Sequence, residues 1–528
     1  MSQHPVAEDL AALVGIRRTF AIISHPDAGK STLTEKLLLY SGAIDLAGAV
    51  RGAKTRKHVV SDWMAMEQER GISLTSTALE FDINGRHLTL LDTPGHKDFS
   101  EDTYRSLIAA DSVVMVIDAA KGIETQTRKL YEVCRRHRLP ILTFVNKLDH
   151  PGREPLELLD EIESVLGIAA APMNWPIGRG DRFRGVYDLT ERTLMLYERH
   201  AQGQRPAPME VANYNDPKVK ELVGDWVYNE FLESMDLVTT AGTTFDHDEY
   251  LAGRQTGVFF GSALNNFGLE PFLRGLTELA PSPRPRLAGE DIIDPVDADF
   301  CGFIFKIQAN MDPRHRDRVA FLRVCSGKLV KDMVVTNSRL NAPVRISRPY
   351  RMFGRDRETV EEAYAGDIVG LVNPGRLTIG DTLYAGRAVT FPPIERFPAE
   401  HFGRVRLESS RHKQFDDGIK QLEEEGLMQV FFSTSGGRDP VVGVAGALQF
   451  DVIVARLKSE YNVESRVDAL SLVAARWLET PLDTVADVPA SVMFATDRRE
   501  KNVLLFPSPW AIEYTERQNP KARLVAIG

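Results

Sequence analysis

Thr19-Phe20-Ala21-Ile22-Ile23-Ser24-His25-Pro26-Asp27-Ala28-Gly29-Lys30-Ser31 is the stretch whose reading decides the fold. Residues 19–23 are apolar or β-branched and read as a buried strand. Residues 32–39 follow with helical spacing. Between them, residues 24–31 match the pattern G-x-x-x-x-G-K-[ST], with Ser24 at the place of the first glycine. The physical need is a tight turn whose backbone N–H groups wrap a phosphate at a helix N-terminus, and Gly29 supplies the freedom for it. Lys30 brings a cation to the β and γ phosphates, and the Ser31 hydroxyl is placed to ligate Mg²⁺. The flanking strand and helix separate this reading from a chance glycine turn.

Working outward, Asp92-Thr93-Pro94-Gly95-His96 closes a second strand, HLTLLD at 87–92. A carboxylate at a strand's carboxyl end, beside a phosphate loop, can hold Mg²⁺ through water. Gly95 can offer its N–H to a γ-phosphate without steric conflict. A third strand, PILTFVN, runs into Asn146-Lys147-Leu148-Asp149. Guanine presents donors at N1 and N2, which one carboxylate such as Asp149 satisfies together; adenine would turn an acceptor lone pair towards it. A buried polar mismatch of that kind discriminates by about 10⁴-fold or more. The Lys147 stem can cover one face of the base. Ser262-Ala263-Leu264, after VFFG, can present a backbone N–H to O6. Each short motif alone has a bland reading; NKLD also suits a solvated helix N-cap, and SAL carries almost no signal by itself. Their order along the chain carries the argument.

The surrounding pattern fits an α/β unit. Strand-like runs at 112–118, 140–146 and 258–262 alternate with helical spacing at 124–137, 155–166 and 269–279. That alternation predicts a parallel sheet with helices on both faces. It lapses from about 175 to 254, read here as an insertion. Pro281-Ser-Pro-Arg-Pro-Arg286 then marks a boundary, and short alternating strands at 303–307, 319–325, 328–336 and 367–372 predict a small β-barrel. After Phe391-Pro-Pro393, strands at 402–407 and 428–432 mix with helices at 411–425 and 447–461, an α+β pattern. The expected division is therefore 1–285, 286–392 and 393–528.

Composition excludes several classes. The formal net charge of −10 speaks against a surface that coats nucleic acid along its whole extent, while leaving room for local basic contacts at Arg314–Arg318, Arg404 and Arg406. Three widely spaced cysteines without a CxxC pair form neither a disulfide framework nor a zinc site. No apolar run spans a bilayer and the first ten residues lack signal-peptide regions, so a cytoplasmic protein without a membrane partner is expected.

Taken in order, residues 24–31, 92–96, 146–149 and 262–264 resemble the nucleotide motifs of the translational GTPases. Glu67-Gln-Glu-Arg-Gly-Ile-Ser73 resembles that family's first switch loop, with Ser73 where the family usually reads threonine. The hydroxyl survives, so the resemblance assigns Mg²⁺ to Ser73 together with Ser31 and Asp92; Thr75 is the alternative. SDWMAMEQERGIS, FGSALNNFGLEPFL, FKIQANMDPRHRDRVAFLRV and GALQFDVIVARLKSEYNVE extend the likeness over nearly the whole chain and point to the termination branch of the family.

That likeness implies GTP and GDP as ligands with Mg²⁺. It implies a phosphate-loop GTPase domain, a β-barrel and an α+β domain in one monomeric chain. It also implies partners: the ribosome with its sarcin–ricin loop and ribosomal proteins, and the stop-codon-reading release factors that such proteins eject after peptide release. His96 matches the histidine that orients the attacking water, with Ile72 and Pro26 at the apolar gate. The later domains are expected to reorient when the γ-phosphate leaves. Three alternatives stand beside this reading: another translational GTPase acting in elongation or ribosome rescue, a GTP-binding scaffold with little turnover, and an ATPase.

Overall fold

The computed structural model describes residues 4–42, 76–94, 98, 100–197, 209–212, 214–215, 217–309, 318–353, 356–434 and 439–527. Its first unit is built on β1 (Arg17–Ser24), buried at all eight positions. β1 lies between β3 (Arg86–Asp92) and β4 (Ser112–Asp118), parallel to both. The sheet continues in parallel through β5 (Ile141–Asn146), β11 (Gln255–Phe260) and β6 (Ala169–Pro172).

Runs such as FAII and VVMVI are apolar on both faces because helices cover both sides. Phe20, Ile22, Val114 and Val116 pack with Leu33 and Leu37 on one side. Ala21, Ile23, Met115 and Ile117 pack with Leu107 and Leu130 on the other.

The structure adds a strand that the sequence reading passed over. β2 (Thr77–Ile83) pairs antiparallel with β3, with Leu79 and Phe81 turned into the core and Asp82 exposed. Thr77, Ala78 and Leu79 are all buried and only Asp82 is exposed, so the run lacks a clean in–out alternation. The helix read at 155–166 is α only over Pro155–Glu161, then widens to a π turn at Ile162–Leu166, closed by Gly167 at φ 69°. Between β6 and β11 lie a four-stranded antiparallel sheet, β7 (Asn174–Ile177) to β10 (Met209–Ala212), and the helices Pro217–Val223 and Asp225–Ala241.

The second unit is an antiparallel barrel around Ile304, Leu322, Val324, Val335, Val369 and Leu383. The single strand expected at 328–336 is two, Lys328–Val330 and Val334–Asn337, because Asp332 turns the chain at φ 64°. The barrel strand Pro349–Phe353 pairs with β2 at Phe353 and Leu79, so hydrogen-bonded strands run unbroken from the first unit into the second. The third unit carries an eight-stranded sheet and the helices His412–Glu424, Leu448–Tyr461 and Pro509–Gln518. Among the described residues, no helix is long and apolar enough to cross a membrane. Cys134, Cys301 and Cys325 are free and buried.

Candidate nucleotide-binding site

Because β1, β3, β5 and β11 are parallel, the four loops that leave them open at one edge of the sheet, the position where open α/β sheets bind ligands. The register sets the details: Ile22 stands beside Asp92, and Asp118 beside Asn146.

The loop after β1 turns through two left-handed residues, Asp27 at φ 66° and Gly29 at φ 95°. Gly29 is required there twice over, since a Cβ would also lie 2.2 Å from Asn146 Nδ2. Gly29 O then accepts from Leu33 N at 2.9 Å, opening the helix Lys30–Tyr40 with Ser31 as its second residue. Asn146 fixes the loop from across the sheet. Its Nδ2 donates to Ala28 O at 2.8 Å, and its Oδ1 accepts from Ala263 N at 2.9 Å. One side chain thereby ties together the loops after β1, β5 and β11.

Lys30 Nζ lies 2.5 Å from Asp92 Oδ1, with both side chains buried. Thr93 Oγ1 donates to Ile22 O at 2.5 Å, and Pro94 O accepts from Thr103 Oγ1 at 3.3 Å, which anchors the turn after β3. Lys147, at φ 68°, lies across the first loop and meets Asp118 Oδ2 at 2.9 Å. Burial alone would push the Asp118 carboxyl up, but Lys147 and the Ala120 amide hold it below the usual carboxylate range. His25 places Nδ1 2.7 Å from Pro26 O. Burial pushes its imidazole below the ordinary value against the opposing pull of Glu124, whose Oε2 is 3.3 Å away. The loop thus holds a neutral ring rather than a second buried cation.

Leu148 N donates to Gly261 O at 3.2 Å, which seats the Asp149 loop against the Ser262 loop. Asp149 Oδ2 accepts from Asn265 Nδ2 at 2.8 Å. Ser262 Oγ is turned to the Asn265 amide, 3.3 Å away. Sequence reasoning passed over Asp118 and Asn265: Asp118 carried a signal, since it ends the strand SVVMVID, whereas Asn265 follows SAL with no mark of its own. The structure therefore brings residues 24–31, 92–94, 146–149 and 262–263 to one sheet edge. Gly95, His96, Ser73, Ile72 and Thr75 lie outside the described residues.

The residues present fit a magnesium-bound nucleotide. Asp92 Oδ2, Ser24 Oγ and Asp149 Oδ1 are buried polar atoms without a hydrogen-bond partner in the protein. The Ser31 hydroxyl and Asp92 carboxylate are hard oxygen donors of the kind Mg²⁺ takes. Of the basic residues singled out in the sequence, Arg318 pairs with Glu424 and Arg406 with Asp468. Residues 314–317 lie outside the described set.

Comparison with known proteins matches three family models along the chain. They are the elongation factor Tu GTP binding domain at residues 16–282, elongation factor G domain 2 at 299–386, and the class II release factor RF3 C-terminal domain at 391–516. A protein of Gloeobacter violaceus called peptide chain release factor 3 is 53% identical, over 97% of this chain and 97% of its own. Relatives with the same name from a Synechocystis strain and Symbiobacterium thermophilum are 51% and 48% identical, over 98% and 97% of this chain and 96% and 98% of their own. A crystal structure from Thermus thermophilus aligns with TM-score 0.68 at 22% identity, over 92% of this chain and 73% of that one, a likeness of fold.

Proposed function

The chain belongs to the peptide chain release factor 3 family of translational GTPases, and from that premise we propose how its sheet-edge site binds and hydrolyses GTP. It is a ribosome-dependent GTPase of translation termination.

In this reading the amides of residues 24–31 cradle the phosphates of GTP or GDP. Lys30 neutralises the β and γ oxygens, trading its contact with Asp92 for the phosphate. Asp149 reads the guanine edge, Lys147 covers the base, and the loop Ser262-Ala263-Leu264 presents a backbone N–H to O6. Ser31, Asp92 and Ser73 would hold Mg²⁺, which would supply charge neutralisation for the transferring phosphoryl group. His96, next to Gly95, orients the attacking water. Hydrolysis needs positioning and charge stabilisation more than covalent help, which suits a site built from loops on a rigid sheet. We assign 1–285 to the GTPase domain with its insertion at about 175–254, 286–392 to the barrel and 393–528 to the C-terminal domain. As a cytoplasmic monomer, the protein would use turnover on the ribosome, at the sarcin–ricin loop, to eject stop-codon-reading release factors.

The observation that supports the nucleotide reading most is the Asn146 side chain, which joins the loop after β1 to the loop after β11. GTP turnover measured with ribosomes, with and without a bound release factor, tests the assignment; loss of the release factor should track turnover. His96→Ala should keep GTP binding and lose ribosome-stimulated turnover by at least about 10²-fold. Undiminished turnover would remove His96 from its role.

A further inference from the structure

Asp149 can read a base only if its two oxygens are held in one plane, and the structure shows what holds them. Oδ2 accepts from Asn265 Nδ2 at 2.8 Å, while Oδ1 is buried with no hydrogen-bond partner in the protein. His150 Nε2 stands 3.5 Å from the same Oδ2, but its side chain is 61% exposed and free to swing. Asn265 is the better clamp. It sits in the 262–267 turn, which Ser262 and Phe267 close by reciprocal backbone bonds at 2.9 and 3.0 Å, and its own amide is bonded to Ser262 Oγ. A carboxylate free to rotate about its terminal torsion samples a broad range of angles.

We propose that Asn265 is a positioning residue for guanine specificity: its carboxamide pins one oxygen of Asp149, fixing the carboxylate plane that receives the base's N1–H and N2–H together. The proposal rests on the guanine reading of Asp149. Asn265 bonds to Asp149 and to its own turn, so its contribution belongs to the choice of base and not to binding strength in general. The 2-amino group is the donor most sensitive to that plane, since it needs the second oxygen at the right angle while N1–H is still served by the first.

The test compares GDP with inosine diphosphate, which lacks the 2-amino group, by equilibrium titration of the full chain. Asn265→Ala should reduce the GDP preference over inosine diphosphate by about tenfold, within the range for a hydrogen bond to a charged group. Asn265→Leu, close in size but without a donor, should reduce it at least as far. A merely structural effect would weaken both nucleotides by the same factor, and an unchanged ratio in both variants would overturn the proposal. Asp149→Asn is the control on the underlying reading: it should shift preference from GDP towards xanthosine diphosphate, whose 2-oxo group accepts from the new amide. If Asp149→Asn shifts preference and the Asn265 variants do not, only the clamp fails. If Asp149→Asn leaves preference unchanged, the guanine reading fails with it.

Discussion

The GTPase domain is joined to its two neighbours by charged contacts of different kinds. Against the barrel, Arg323 reaches from a barrel strand into the first unit, where it meets Asp111 and donates to Thr19 Oγ1 at 2.5 Å; both charged side chains are 1% exposed. Arg17 donates to Asp367 Oδ1 at 2.7 Å, and β2 pairs with a barrel strand. All of these rest on β1, β2 or the turn before β4, the rigid frame of the sheet. Against the C-terminal domain the contacts fall mainly on residues 98–105, with an exposed ion pair from Arg136 to Glu395 at 3.3 Å beside them. Asp98 Oδ2 accepts from Leu448 N at 2.8 Å, at the start of the helix Leu448–Tyr461, and Arg105 Nη1 donates to Glu425 O at 3.0 Å. Those residues directly follow Asp92–His96. A movement of that loop with the γ-phosphate would thus reach the C-terminal domain through Asp98 and Arg105 and the barrel through Asp102 and Lys306, while Arg323 and Arg17 keep the barrel fastened to the sheet.

Breaking the barrel joint should have the largest effect. Arg323→Ala leaves Asp111 buried with its principal ion partner gone, and chemical denaturation should show a loss of about 3–5 kcal/mol. Replacing both partners by apolar residues of similar size should recover most of that loss. A loss under about 1 kcal/mol for Arg323→Ala would mean the joint is not anchored as described.

Asp98→Ala sharpens the other side. The lost hydrogen bond to a charged group should cost about 1.5–3 kcal/mol locally. Hydrogen exchange should quicken at the Leu448 amide and leave β1 protected, with GDP affinity nearly unchanged. Equal quickening in both places would erase the distinction between the joints.

The smallest effect is a pH dependence confined to the barrel side. His87 Nδ1 lies 2.7 Å from Asp82 Oδ1, and its Nε2 lies 3.5 Å from Glu80 Oε2 and 3.9 Å from Asp367 Oδ1. Burial works against the imidazolium, but the surrounding carboxylates outweigh it and raise the His87 value above 6.5. A raised folded value means that the stabilisation is full below the unfolded value near 6.5 and is lost as pH rises through the folded one. His87→Asn should therefore cost about 1 kcal/mol at pH 5.5, and thermal unfolding should show the gap to the unaltered protein closing as pH rises. A gap that widens with pH would reverse the assignment.

What the sequence made legible was what lies close in the chain. Residues 19–31 declare strand, loop and helix within a short span, and NKLD and SAL inherit meaning from following strands of the same parallel sheet. β2 was harder to read, because its burial does not alternate and so short a strand gives a weak signal beside the apolar runs of β1 and β4. Contacts that depend on distant segments were not legible. Arg323 and Asp111 lie 212 residues apart, and nothing local marks either as buried and paired. Asn265 reads as an ordinary turn residue until the fold brings it to Asp149, 116 positions earlier in the chain.

The central claim is that one sheet edge holds a triphosphate and checks its base with Asp149. Direct titration of the purified chain with GTP and with ATP tests it most simply. The account predicts tight GTP binding and a preference over ATP of about 10⁴-fold or more. Comparable binding of the two nucleotides, or none of GTP, would contradict it.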